Sequence, residues 1–320
     1  MVGVTLAGWL WARVEQDPKP TTRPGEPTVS FGTLTSGGRE RTYTYWRPGG
    51  ATRAAAVPLV VVLHGTLGGS DTIGRWSGFR ELAEKERFAV CFPNGIGRSW
   101  RDGRVADEEQ PAVDDVKFLD ELLDKLLADG AVDVRRVYLA GMSSGGMMAQ
   151  RYALTRPGRV AAIAVIAGSL AKSLAEQKDV APPVPIILFH GTRDSVVPFE
   201  GGPIAQQYGE VLAARDGLKH WAEWNDCRKK LELVTVAAVD PETKTGVTRE
   251  GFGEGRDGAE ALLYVIEGGG HTWPGVVKTR NELLGWKSTK AISATALSWE
   301  FFTRHPRVIE TPSHEDTKKN

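Results

Sequence analysis

The chain has 320 residues, its 40 Lys and Arg are balanced by 40 Asp and Glu, and 41% of its residues are hydrophobic. That is enough apolar material for one large α/β domain, while the zero net charge excludes a basic nucleic-acid footprint and offers no polybasic surface to a membrane. Two cysteines without a Cys/His cluster exclude a disulfide scaffold and a structural zinc site.

Residues 1–27 read as an N-terminal arm or the remnant of an export segment. Met1 to Ala12 is apolar and has the length of a signal-peptide core, but no positive charge precedes it and no small-x-small cleavage site follows. Gln16 to Pro27 is polar and proline-rich, the composition of a linker. No apolar run reaches the roughly 18 residues of a membrane helix. The regular pattern begins at Thr28. Val29 to Leu34 and Arg41 to Trp46 predict strands around the turn signal Ser36-Gly37-Gly38. Val57 to Leu63 (VPLVVVL) is continuously apolar, as a strand covered on both faces must be. A helix over Ser77 to Arg87 and a strand over Phe88 to Phe92 follow.

The clearest helix is Val113 to Leu127, where Val116, Leu119, Leu122, Leu123, Leu126 and Leu127 form one stripe and Gly130 supplies a stop. Strands are expected at Arg136 to Ala140, Val160 to Ile166 and Val184 to Phe189, with a helix after the first. Residues 203–230 read as a helical insertion near the cleft, carrying Trp221 and Trp224. Leu231 to Val239 and Gly246 to Phe252 flank the turn Asp240-Pro241-Glu242 as a hairpin. Ala259 to Ile266 is the last strand, Thr289 to Phe302 the last helix, and 307–320 a charged tail. Alternating strand and helix predict an α/β domain over 28–306, with a mostly parallel central sheet and helices on both faces.

The first chemically informative motif is Gly141-Met142-Ser143-Ser144-Gly145, a G-x-S-x-G match between the strand ending at Ala140 and a helix start at Gly146. A sharp strand-to-helix turn holds such a serine in a strained conformation, and flanking glycines remove the Cβ clashes that would forbid it. A serine hydroxyl needs a base within reach. Of six histidines, His271 in Gly268-Gly269-Gly270-His271-Thr272-Trp273-Pro274 follows the last strand, where a base is aimed across a sheet's carboxyl edge. His64 and His190 each end a strand and precede Gly, as structural hydrogen-bonding groups near a site would. His220, His305 and His314 read as solvated or structural.

Asp194, just past the strand ending at Phe189, is the acid expected to orient His271, with Asp226 and Asp240 as competitors that follow no parallel-type strand. The order Ser143, Asp194, His271 is that of an α/β-hydrolase triad. The loop His64-Gly65-Thr66-Leu67-Gly68-Gly69 follows the early strand where the oxyanion hole is built, which assigns its donors to the amides of Thr66 and Ser144.

The chain resembles the polyhydroxybutyrate depolymerase and feruloyl esterase group of α/β-hydrolases. The resemblance rests on Leu63-His64-Gly65, Pro93 to Trp100 (PNGIGRSW), Val113 to Leu119 (VDDVKFL), Gly141 to Gly146, His190 to Pro198 and Gly268 to Gly275. It implies Ser143 as nucleophile, Asp194 as acid and His271 as base, places Trp100 and Trp273 near the substrate cleft, and gives Asp115 a supporting role. Trp273, two residues from His271, either stacks on substrate or packs the loop, and Trp100 has the same two readings. Asp114 and Asp115 open a helix, where a cap is the simpler role for Asp114. Thr66 stands where the group often carries Cys, so disulfide support of that loop is not expected, and Cys91 and Cys227 are expected as free thiols.

These features together predict a serine carboxylesterase working through an acyl-enzyme. The expected substrates are short-acyl, feruloyl- or acetyl-carbohydrate, or hydroxyalkanoate esters. A serine peptidase and a non-catalytic binding protein are the alternatives. The expected partner is a small-molecule or oligomeric ester, with no nucleic acid, membrane, metal or cofactor. The group's habit implies a secreted or periplasmic protein, with the cytoplasm left open.

Overall fold

A computed structural model describes residues 26–105, 113–177, 180–204, 209–276 and 286–308. Most of the expected N-terminal arm and of the charged tail, with His314, lies outside the described residues. Strands β1 (Thr28–Ser36) and β2 (Arg39–Arg47) form the expected hairpin. They are followed by β3 (Val57–Leu63), β4 (Ala89–Pro93), β5 (Val132–Met142), β6 (Ala162–Ile166) and β7 (Ile186–Gly191). The short β8 (Gly202–Pro203) pairs with β9 (Glu210–Val211), and β10 (Lys229–Lys230), β11 (Val234–Ala237), β12 (Gly246–Gly253) and β13 (Ala261–Glu267) complete the set.

The large sheet runs β1-β2-β4-β3-β5-β6-β7-β13-β12-β10, with β11 also on β12. Its six central strands, β4 to β13 in that order, are parallel, and every flanking pair is antiparallel. Continuous apolar runs in β3, β4, β6 and β7 are buried at every or nearly every position. The reason is that both faces are covered. Leu59, Val61 and Leu63 of β3 point into one core, and Val60 and Val62 into the other.

Helices α3 (Asp115–Leu127), α4 (Ser144–Thr155) and α5 (Ala214–Trp224) fill the first core with Leu119, Tyr152 and Trp221 among others. Helices α1 (Ser70–Trp76), α2 (Phe79–Glu86) and α6 (Ala294–Arg304) fill the second with Ile73, Phe79 and Phe302. The helix expected over Ser77 to Arg87 is α2, and Gly78 at φ +75° separates it from α1, which the sequence pattern did not show. The helix within 203–230 lies on the sheet against β13, and of that segment Ile204 alone lines the cleft among its described residues. Cys91 and Cys227 are free thiols.

The topology places the site. From β3 the chain steps outward to β4, returns beside β3 as β5, and then proceeds the opposite way through β6, β7 and β13. Where two neighbouring strands send their connections in opposite directions, a crevice opens at their carboxyl ends. Here that crevice lies between the loops after β3 and β5.

Candidate active site

Ser143 leaves β5 at φ +55°, ψ −124°, a conformation that non-glycine residues hold only when their surroundings enforce it. The surroundings do so. A Cβ on Gly145 would overlap the carbonyl oxygens of Leu63 and His64, and one on Gly141 would overlap the Gly145 carbonyl, so only glycines let β3, β5 and α4 approach this closely. Ser143 N–H donates to Ile166 O at 2.8 Å and its carbonyl accepts from Met147 N–H at 3.0 Å, which fixes the turn from both sides. Its Oγ hydrogen-bonds no described residue and opens on a cleft of about 900 Å3.

Across that cleft His271 Nδ1 lies 2.8 Å from Asp194 Oδ2. A carboxylate only accepts, so Nδ1 carries the proton and the Nε2 lone pair is left for another donor. Asp194 Oδ1 accepts from the amides of Val196 and Val197, both at 2.8 Å. The buried His190 sits behind it: Nε2 is 2.9 Å from Val197 O and 3.6 Å from Asp194 Oδ2. Burial by itself would raise the Asp194 carboxyl, but hydrogen bonds and charge from His190 and His271 outweigh it and hold it below the usual carboxylate range. The competing acids are elsewhere. Asp226 is ion-paired to Arg228, and Asp240 caps its own turn through the amides of Glu242 and Thr243.

His64 organises the opposite wall. Its Nε2 accepts from Gly95 N–H at 3.0 Å, so the ring proton sits on Nδ1 and is donated to Gly65 O at 2.8 Å. Gly68 N–H donates to the same carbonyl at 2.9 Å. In a trans peptide the carbonyl and the next N–H point oppositely, so pinning Gly65 O aims the Thr66 amide away from both. Thr66 Oγ1 contacts Ser144 Oγ at 3.1 Å, which sets the two residues side by side. Neither amide, of Thr66 or of Ser144, donates to any described residue. Burial lowers the His64 pKa, in keeping with a neutral ring used as a strut.

The two tryptophans of the expected site are both cleft-lining and both buried. Trp100 donates its indole N–H to His64 O at 2.8 Å, and Trp273 donates to Thr295 Oγ1 at 2.9 Å while meeting Trp76 and Phe79 edge-on. Packing is therefore a large part of each role. Asp115 joins three elements, accepting from Arg41 at 2.6 Å and from the Arg101 amide at 2.8 Å. Asp114 caps α3 through Lys117 N–H. Trp286 is a cleft residue that the sequence reading did not single out; it donates to Ser195 Oγ at 3.1 Å and meets the His271 ring at 5.6 Å. Nothing in the local pattern marks it, because its partners lie far away in the chain. Among the described residues no group of three or more His, Cys, Asp or Glu could hold a metal ion, and no helix is long and apolar enough to cross a membrane.

Residues 51–225 match the model of the phospholipase/carboxylesterase family, more than half of the chain. The chain belongs to this family. It is an α/β-hydrolase of the carboxylesterase class, similar to the feruloyl esterase group. It is 30% identical over 251 residues to the protein named "Putative esterase NocK" from Nocardia uniformis subsp. tsuyamanensis, covering 74% of this chain and 72% of that one. It is 28% identical over 256 residues to Feruloyl esterase B of Piromyces equi, covering 77% of this chain but only 44% of the Piromyces protein. Among solved structures, the acetyl xylan esterase from Aspergillus awamori shares the fold at TM-score 0.55 and 17% identity, over 80% of this chain and 98% of its own.

Proposed function

We propose that this carboxylesterase hydrolyses its substrate through a Ser143–His271–Asp194 triad and a covalent acyl-enzyme. The observation that carries the reading is the 2.8 Å His271–Asp194 bond facing the same cleft as a strained Ser143. His271 Nε2 takes the Ser143 proton as Oγ attacks the ester carbonyl, and Asp194 stabilises the imidazolium that forms. The amides of Thr66 and Ser144 receive the oxyanion, with the N-terminus of α4 adding its positive end. His271 then protonates the departing alcohol. A water deprotonated by the same imidazole attacks the acyl-enzyme, releases the acid and restores Ser143. Such donors act on charge that exists only in the transition state, so they raise the rate rather than the affinity.

The cleft has the volume of a small-molecule site, with mainly apolar walls (Ile73, Ile96, Val196, Trp273) and a polar end holding the Asp102–Arg104 ion pair. That suits an ester with a compact apolar acyl group: short acyl, hydroxyalkanoyl or feruloyl. The name of the Piromyces relative favours the last of these. Ser143→Ala tests the core of the proposal on 4-nitrophenyl acetate or butyrate. The expected result is a loss of kcat by about 10⁴-fold or more. Retention of more than a few per cent of wild-type turnover would remove Ser143 from its role.

A further inference from the structure

Resting on the triad reading above, the geometry points to Trp286 as the wall of the leaving-alcohol subsite, suited to an alcohol that carries a ring able to stack on an indole. The proton inventory fixes the direction in which the alcohol lies. The alkoxide oxygen must be protonated by His271, so the alcohol departs along the His271 side of Ser143. The carbonyl oxygen lies toward Thr66 and Ser144, on the opposite wall. Any side chain that both touches the His271 ring and lines the cleft therefore borders the alcohol, not the carbonyl oxygen. Trp286 meets both conditions.

Its indole is held ready rather than loose. The ring meets the imidazole at an interplanar angle of 74°, and its N–H is donated to Ser195 Oγ, beside Asp194. The backbone is tied as well. Gly270 N–H donates to Lys287 O at 2.9 Å, and Thr272 Oγ1 reaches the same carbonyl at 3.4 Å. A Cβ on Gly270 would lie 3.0 Å from Trp286 Cα and Cβ, so the glycine ahead of the base lets the chain at 286 pass close by. The half-buried indole keeps ring surface to give to a ligand, whereas Trp100 and Trp273 are buried. A preorganised aromatic surface loses little entropy on binding, and its gain is largest for a ring that can lie against it, an aryl ring or the C–H face of a pyranose.

The test holds the acyl group constant and varies the alcohol. Methyl acetate, phenyl acetate and an acetylated methyl xyloside are assayed with wild type, Trp286→Ala, Trp286→Phe and Ser195→Ala, and each variant is scored by its ratio to wild type on the same ester. Trp286→Ala is expected to lower kcat/KM about tenfold on the two ring-bearing alcohols, chiefly through KM, and by less than about twofold on methyl acetate. Trp286→Phe should recover most of the loss, and Ser195→Ala should give a smaller change with the same selectivity. The phenyl and xyloside arms separate an aryl from a sugar partner. Equal losses on all three esters would mean that Trp286 only positions His271 and would overturn the proposal. So would a loss that follows the acyl group in a parallel series of methyl esters. A wrong triad is read separately, by the turnover of Ser143→Ala.

Discussion

The two halves of the cleft are built by different means. The nucleophile half, at the ends of β3 and β5, is made of backbone. Gly141, Gly145 and Gly65 bring three segments into van der Waals contact, a strained Ser143 sits between them, and the expected oxyanion donors are main-chain amides oriented by His64. The acid–base half, at the ends of β7 and β13, is made of side chains. Asp194 and His271 face each other across two loops, and His190, Ser195 and Trp286 brace them from behind and from the side. A backbone-built half fails when a Cβ is added. A side-chain-built half fails when a functional group is removed.

That contrast can be sharpened by variants taken in order of expected effect. Asp194→Asn keeps the shape of the acid but offers an amide to an N–H that needs an acceptor. It should lower kcat by about 10³–10⁴-fold with the fold intact, read by ester turnover alongside near-UV circular dichroism. A loss below about tenfold would show that the acid works elsewhere. On the other half, His64 is probed by its two part-isosteres. Asn keeps a donor at the Nδ1 position, whereas Gln keeps an acceptor at the Nε2 position. His64→Gln should lose about 10–100-fold in kcat at nearly constant KM, because the Gly65 carbonyl is then held by Gly68 N–H alone and the Thr66 amide is aimed less firmly, and His64→Asn should lose less. The reverse ranking would put the ring's importance in the Gly95 contact instead.

The smallest effect concerns stability against pH, and its sign follows from the lowered pKa values. A neutral buried His64 resists the proton that its unfolded counterpart accepts, so stability begins to fall as the pH drops below about 6.5. Asp194, Asp129 and Glu260 are held below their ordinary values. Their contribution is complete above about pH 5, clear of their ordinary values, and is lost as the pH falls from there toward their folded values. Urea unfolding at pH 7.5, 5.5 and 3.5 should show a modest decline followed by a steeper one. The first step should shrink in His64→Asn.

Much of this arrangement was legible in the sequence, for identifiable reasons. β3, β6 and β7 announce themselves because strands buried on both faces are largely apolar, and Ser143, Asp194 and His271 lie just past the ends of the parallel strands β5, β7 and β13. The start of β5, ahead of the expected Arg136, escaped notice because Asp133 and Arg135 lie at the strand's less buried amino end, where polarity is allowed. α1 escaped because seven residues including Gly74 carry too little periodicity. α5 was read as a helix, but its amphipathic face did not say that Leu218 and Trp221 would pack on the sheet instead of the cleft. Trp286 was invisible, since its meaning comes from Ser195, Gly270 and His271, which only the folded chain assembles.

The central claim is that one hydroxyl, activated from across the cleft, carries the chemistry. Labelling with diisopropyl fluorophosphate followed by peptide mass mapping tests it directly, because the reagent reports on nucleophile and base together. Wild type is expected to take up a single phosphoryl group on Ser143, Ser143→Ala none, and His271→Ala to label at least about a hundredfold more slowly. A stoichiometric adduct on any other residue, or undiminished labelling of Ser143→Ala, would contradict the account.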